Sequence, residues 1–157
     1  MKYRALCGII GAFFNAEVSL SRIINPDSAG KERTRLTKAV VLAIRELAQQ
    51  TGPGSEARDL AAFIALALGL VFETIEVSVA AWEKRGYWVK ADKFRMEWSW
   101  TGHCADKIRK AVIGDDWATV AQVATQAAQK LNRITVPPGH RLGRPWVGAW
   151  DELRKRQ

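Results

Sequence analysis

Residues 55–86 read SEARDLAAFIALALGLVFETIEVSVAAWEKRG, and how this run is read decides the fold. Leu60 to Phe72 is a continuous apolar stretch of thirteen residues that ends at Glu73, shorter than the ~20 residues a membrane-spanning helix needs. A helix that is apolar almost all round belongs at the centre of a helical bundle, where neighbours cover every face. The flanks supply the ends. Ser55 suits an N-cap, Glu56 and Asp59 place negative charge in the first turn, Lys84 and Arg85 place positive charge in the last, and Gly86 suits the left-handed stop.

Working outward toward the N-terminus, residues 3–24 set Leu6, Ile10, Phe13, Leu20 and Ile24 at helical spacing, with Asn25-Pro26-Asp27 as a terminator. The opening MKYRALCGIIGAFFNA has the positive start of an export signal. Phe14, however, stands where the cleavage rule wants a small residue two before Ala16, so a buried first helix and a cytoplasmic protein are expected. A basic loop then leads to a helix over residues 32–50, with Leu36, Val40, Ala43, Ile44 and Leu47 on one stripe and Arg35, Lys38 and Arg45 on another.

Toward the C-terminus, a helix is expected from Tyr87 to Ile113. Tyr87, Ala91, Phe94, Trp98, Ala105, Ile108 and Val112 form its core seam, interrupted at Thr101-Gly102. Asp115 or Asp116 caps the next helix, whose Trp117, Val120, Ala124, Ala127 and Leu131 share a face. Val136-Pro137-Pro138-Gly139 breaks the chain, and a short helix from Pro145 to about Lys155 carries Trp146 and Trp150. No strand is convincing. The expectation is an all-α protein, a single compact helical bundle of five to six helices in one domain, residues 1–157. Cys7 and Cys104 show neither CxxC nor histidine spacing and read as reduced buried thiols.

The chain carries 24 Lys and Arg against 16 Asp and Glu, a net +8, and a balance of that sign favours an acidic partner. Its distribution is uneven. Residues 51–83 hold one basic and five acidic side chains, whereas 84–113 hold eight basic and three acidic. Positive charge therefore belongs to the elements packed around the central helix.

Enzyme signatures are sparse. Glu73, Glu76 and Glu83 fall on one face of the central helix, and Glu73-Thr-Ile-Glu76 resembles the first half of the paired ExxE and ExxD pattern by which all-helical nucleotide pyrophosphatases hold magnesium. The second half is missing, since Glu97 is followed three positions on by Trp100. Beside so many cations these glutamates read as ion-pair partners for Arg85, Lys90 or another helix. His103, Asp106 and His140 lack a ligand set for zinc, and no nucleophile elbow, P-loop or Rossmann glycine pattern occurs. No catalytic residue, metal or cofactor is assigned.

The remaining constellation is basic and aromatic. With the seam assigned to the core, Lys90, Lys93 and Lys107 lie on one adjacent stripe with Trp100, and Arg95 on the next with Trp88. Lysines and arginines at such spacing can follow a phosphate backbone while a tryptophan stacks on a base. Arg35, Lys38, Arg141 and Arg144 add charge elsewhere. The competing reading is a solvated basic face whose stems cover neighbouring helices.

The stretch Trp82 to Trp100 with Lys84, Arg85, Lys90, Lys93 and Arg95, together with His140-Arg-Leu-Gly-Arg144, resembles the small helical subunit of CRISPR effector complexes. The resemblance is one of architecture and brings no residue-for-residue correspondence. It implies a non-catalytic subunit that lines up along a ribonucleoprotein and holds a target or displaced strand by positive charge. The expected partners are single-stranded RNA or DNA and other protein subunits, copies of itself among them, and no membrane. A protein-docking adaptor and a metal-dependent nucleotide hydrolase using Glu73 and Glu76 are the alternatives.

Overall fold

The computed structural model describes residues 26–156. The expected first helix, the leader reading and Cys7 lie outside the described residues. Six helices follow one another: α1 (Pro26–Ala48), α2 (Ser55–Glu83), α3 (Trp88–Trp98), α4 (Trp100–Ile113), α5 (Trp117–Lys130) and α6 (Ala149–Lys155). No strand occurs among the described residues. The helical bundle read from the sequence is thus the fold observed.

α2 runs through the middle of it. Leu60, Ile64, Leu68, Val71 and Ile75 have no exposed surface, because α1, α3, α4 and α6 all pack on this one helix. α5 is the outer layer, lying on α4 and touching the edge of α1. As formed, α2 is 29 residues long, since Ile75, Val77 and Val79 carry the apolar character past Glu73 and Glu76. It is therefore long and apolar enough to cross a membrane by length and composition, contrary to the reading of the thirteen-residue run alone, and 67% of that apolar window is buried inside the bundle.

Several boundaries differ from expectation. α1 begins at Pro26, inside what reads as a loop. Proline at the first helical position forfeits no hydrogen bond, because the first-turn N–H groups have no helical acceptor. Gly54, with extended backbone and no side-chain bond, takes the cap position expected for Ser55. Asp116 does cap α5, its Oδ1 accepting from Thr119 N–H at 3.1 Å. The last helix starts at Ala149 rather than Pro145, and Trp146 is buried in the turn before it.

The cap of α6 comes from another helix. Asp59 on α2 accepts from the backbone N–H of Trp150 at 2.9 Å and of Gly148 at 3.2 Å. This carboxylate fixes the C-terminal helix to the central one, while Arg144 in the preceding loop pairs with Glu56 one turn earlier on α2.

Two glycines lie at the contact of α2 with α4, and the close approach depends on one of them, Gly102. A Cβ placed on Gly102 would lie 3.2 Å from the Phe72 ring, and one on Gly69 would lie 4.0 Å from Ala105 Cβ. Gly102 reads in the sequence as a helix interruption, but it is helical, and the break falls at Ser99. There Ser99 Oγ donates to Met96 O at 3.2 Å and Thr101 Oγ1 to Trp98 O at 2.8 Å. Side-chain oxygens that bond the preceding turn in this way bend helices.

Candidate nucleic-acid interface

α2 ends at a corner. Gly86 adopts φ 79°, and the Tyr87 N–H reaches back to Trp82 O at 3.0 Å, the bond pattern that closes a helix through a left-handed residue. α3 then departs, and Ala91, Phe94 and Trp98 return its inner face to Ile75 and Val79 on α2. Tyr87, expected on that seam, is 56% exposed. It is the N-cap of α3, with φ −88° and ψ 52°, so helical spacing does not govern where it points.

The outer side of this corner is an open groove of 610 Å³ lined by Trp82, Trp88, Val89, Lys90, Lys93 and Phe94 among others. Trp88 is 61% and Val89 70% exposed. Lys90 Nζ lies 4.2 Å from the centroid of the Trp82 ring, within cation–π range. Phe94 meets the same ring edge-on at 5.0 Å. Lys84 and Arg85 are exposed in the turn beside it. None of Lys84, Arg85, Lys90 and Lys93 forms an ion pair among the described residues.

Of the sequence-derived contact residues, Trp88, Lys90 and Lys93 share this groove and the others do not line it. Arg95 turns toward α2. It donates to Glu83 at 2.8 Å and to Asp92 at 3.2 Å, and its Nε lies 3.7 Å from Glu76. The Glu83 hydrogen bond pushes the guanidinium above its ordinary range. Three carboxylates therefore occupy a side chain that helical spacing alone leaves free. The same contacts identify the partner of Glu76 and Glu83 as Arg95, not Arg85 or Lys90.

Trp100 packs half-buried on the main core, stacked at 6.4 Å on Trp98. Lys107 is exposed on α4 beside Cys104. Burial raises the pKa of that thiol, and Lys107 and Lys130 oppose the shift. Arg35 and Lys38 sit half-buried on α1, and Arg141 is exposed in the loop before α6. Arg144, besides its pair with Glu56, lies 5.8 Å over the Trp146 ring.

The chain matches no family model, no curated protein and no solved structure. What the site can do thus follows from its own geometry. Sequence spacing missed Trp82 and Tyr87 as groove residues, although the run Trp82-Glu-Lys-Arg-Gly-Tyr-Trp-Val-Lys90 holds the signal. Charge and aromatics crowd on both sides of a glycine that turns the chain, which brings two helix ends to one surface. Among the described residues no group of three His, Cys, Asp or Glu stands at metal-holding spacing.

Proposed function

We propose that this protein is a non-catalytic helical subunit of a nucleoprotein assembly that holds single-stranded nucleic acid, as the small subunits of CRISPR effector complexes do. The observation that carries the proposal is the corner groove, where Trp88 is exposed beside Lys90 and Lys93 with Lys84 and Arg85 in the adjoining turn, and none of these four cations forms an ion pair among the described residues. Lysines and arginines hold a backbone without reading sequence, and an aromatic face accepts any base. One domain with one such groove binds weakly. Avidity then comes from repeated copies or a larger cytoplasmic ribonucleoprotein.

The test is equilibrium binding of labelled single-stranded RNA and DNA across a salt series. For three to four phosphate contacts, log K falls with log salt at a slope of about −2 to −3. No binding at low salt, or affinity flat with salt, rejects the proposal.

A protein-docking adaptor is the second reading, favoured by the run of exposed apolar side chains Tyr87, Trp88 and Val89 with Met96 a few residues on. Exposed apolar patches commonly mark protein contacts. The two readings separate on Lys93→Glu, which abolishes strand binding and leaves an apolar docking contact largely intact.

A further inference from the structure

We propose that the corner groove is a nucleobase-stacking site in which the Trp82 ring is the platform and Lys90 is its displaceable cover. This rests on the nucleic-acid reading above and assigns the base contact to one particular ring.

Trp82 is held in place, packed partly buried against Ile75, Val79 and Ala91. It lies in the last turn of α2, its carbonyl accepts the Tyr87 N–H at 3.0 Å, and Phe94 abuts its ring edge-on at 5.0 Å. A platform needs this rigidity, since an already ordered ring loses little freedom when a ligand stacks on it. The groove opens beside it, for a Cβ at Gly86 would meet no atom within 4 Å.

What lies over the ring is the Lys90 ammonium, 4.2 Å from its centroid. A flexible, exposed lysine is easily moved by a flat apolar group. Once displaced, its charge is available to the phosphate attached to the incoming base. Lys93, one turn along α3 and lining the same groove, is placed for the next phosphate. The occupant this arrangement fits carries a flat π face and a negative charge a short distance away. An unpaired nucleotide has that chemistry. A base inside a duplex has both faces covered, so the site selects single strands.

The experiment compares three labelled ligands of equal length on the full chain by fluorescence anisotropy at low salt: a single-stranded oligonucleotide, the same backbone with abasic sugars, and a duplex. Stacking one base predicts that the base-bearing strand binds roughly tenfold tighter than the abasic one. Trp82→Leu should bring the base-bearing strand down to the abasic level. Equal affinity of wild-type protein for base-bearing and abasic strands overturns the stacking site and leaves the phosphate reading standing. That comparison needs no variant, so it decides even if Trp82→Leu does not fold. A folded Trp82→Leu protein that keeps the tenfold ratio overturns the assignment to Trp82. No binding of any strand overturns both this inference and the function it rests on.

Discussion

The Arg95 guanidinium donates to the Glu83 carboxylate across the α2–α3 corner at 2.8 Å, and with Glu76 and Asp92 beside it it ties the groove-bearing helix to the centre of the bundle. Arg95→Ala should loosen the corner without unfolding the core. Amide exchange at Tyr87 and Ala91, whose N–H groups bond to Trp82 O and Tyr87 O, should accelerate roughly fivefold, while Ile64 and Leu68 stay protected. Unchanged exchange at the corner would show that the aromatic contacts hold it alone.

The same geometry separates Arg95 from the lysines in binding. Lys93→Ala removes one phosphate contact and should make the salt slope for single-stranded ligands shallower by about 0.7. Arg95→Ala should leave the slope unchanged, because its charge is already spent on carboxylates. Equal slope changes for the two variants would return Arg95 to the contact surface.

Asp59 holds α6 through the backbone N–H groups of Gly148 and Trp150, and no side chain of α6 or its cap residue substitutes for it. Asp59→Ala should cost about 1 kcal/mol in urea unfolding, the usual loss for a helix cap, with Trp150 becoming more solvent-exposed in its fluorescence. An unaltered midpoint would mean that burial of Ala149 and Leu153 suffices to dock the helix.

Where the sequence was legible, one helix at a time was enough. The apolar surround of Leu60 to Phe72 marked α2 as the core helix, and Gly86 marked its end, because both features are local. Contacts set by a second helix were not visible. Periodicity placed Arg95 on an open stripe because Glu76 and Glu83 belong to a different helix. It placed Tyr87 in the core because a helical repeat was carried one residue beyond the helix. Gly102 looked like a breaker because the Phe72 ring that requires it is thirty residues away in the chain. The groove itself lies between two elements, so neither helix taken alone outlines it.

Glu32 on α1 is half-buried, and its Oε1 has no hydrogen-bond partner. Burial raises its pKa above the ordinary carboxyl value and nearby Arg35 only partly opposes the shift. The folded state therefore favours the protonated acid. The resulting penalty is absent below the unfolded pKa of about 4.3 and grows as pH rises through the higher folded value. Glu32→Gln should stabilise the protein at pH 7 and give no gain at about pH 3.5. A variant equally stabilised at both pH values would place its effect in packing and not in charge.

The two glycines at the α2–α4 contact should respond in opposite ways to the same substitution. Both are helical, so alanine gains about 1 kcal/mol of helix propensity at either position. At Gly69 the added methyl meets only Ala105 Cβ at 4.0 Å, an ordinary contact, and Gly69→Ala should keep most of that gain. At Gly102 the methyl enters at 3.2 Å from Cδ2 and 3.3 Å from Cγ of Phe72, atoms near the base of a ring that move only with the ring as a whole. Overpacking of this kind costs about 1–3 kcal/mol, enough to cancel or exceed the propensity gain. Thermal unfolding should therefore rank Gly69→Ala above wild type and Gly102→Ala at or below it. Phe72→Leu should relieve the second variant but not improve the first, because only at Gly102 does the aromatic ring set the distance between the helices. If both alanine variants are stabilised alike, the ring yields freely and the close approach at Gly102 is not a packing constraint.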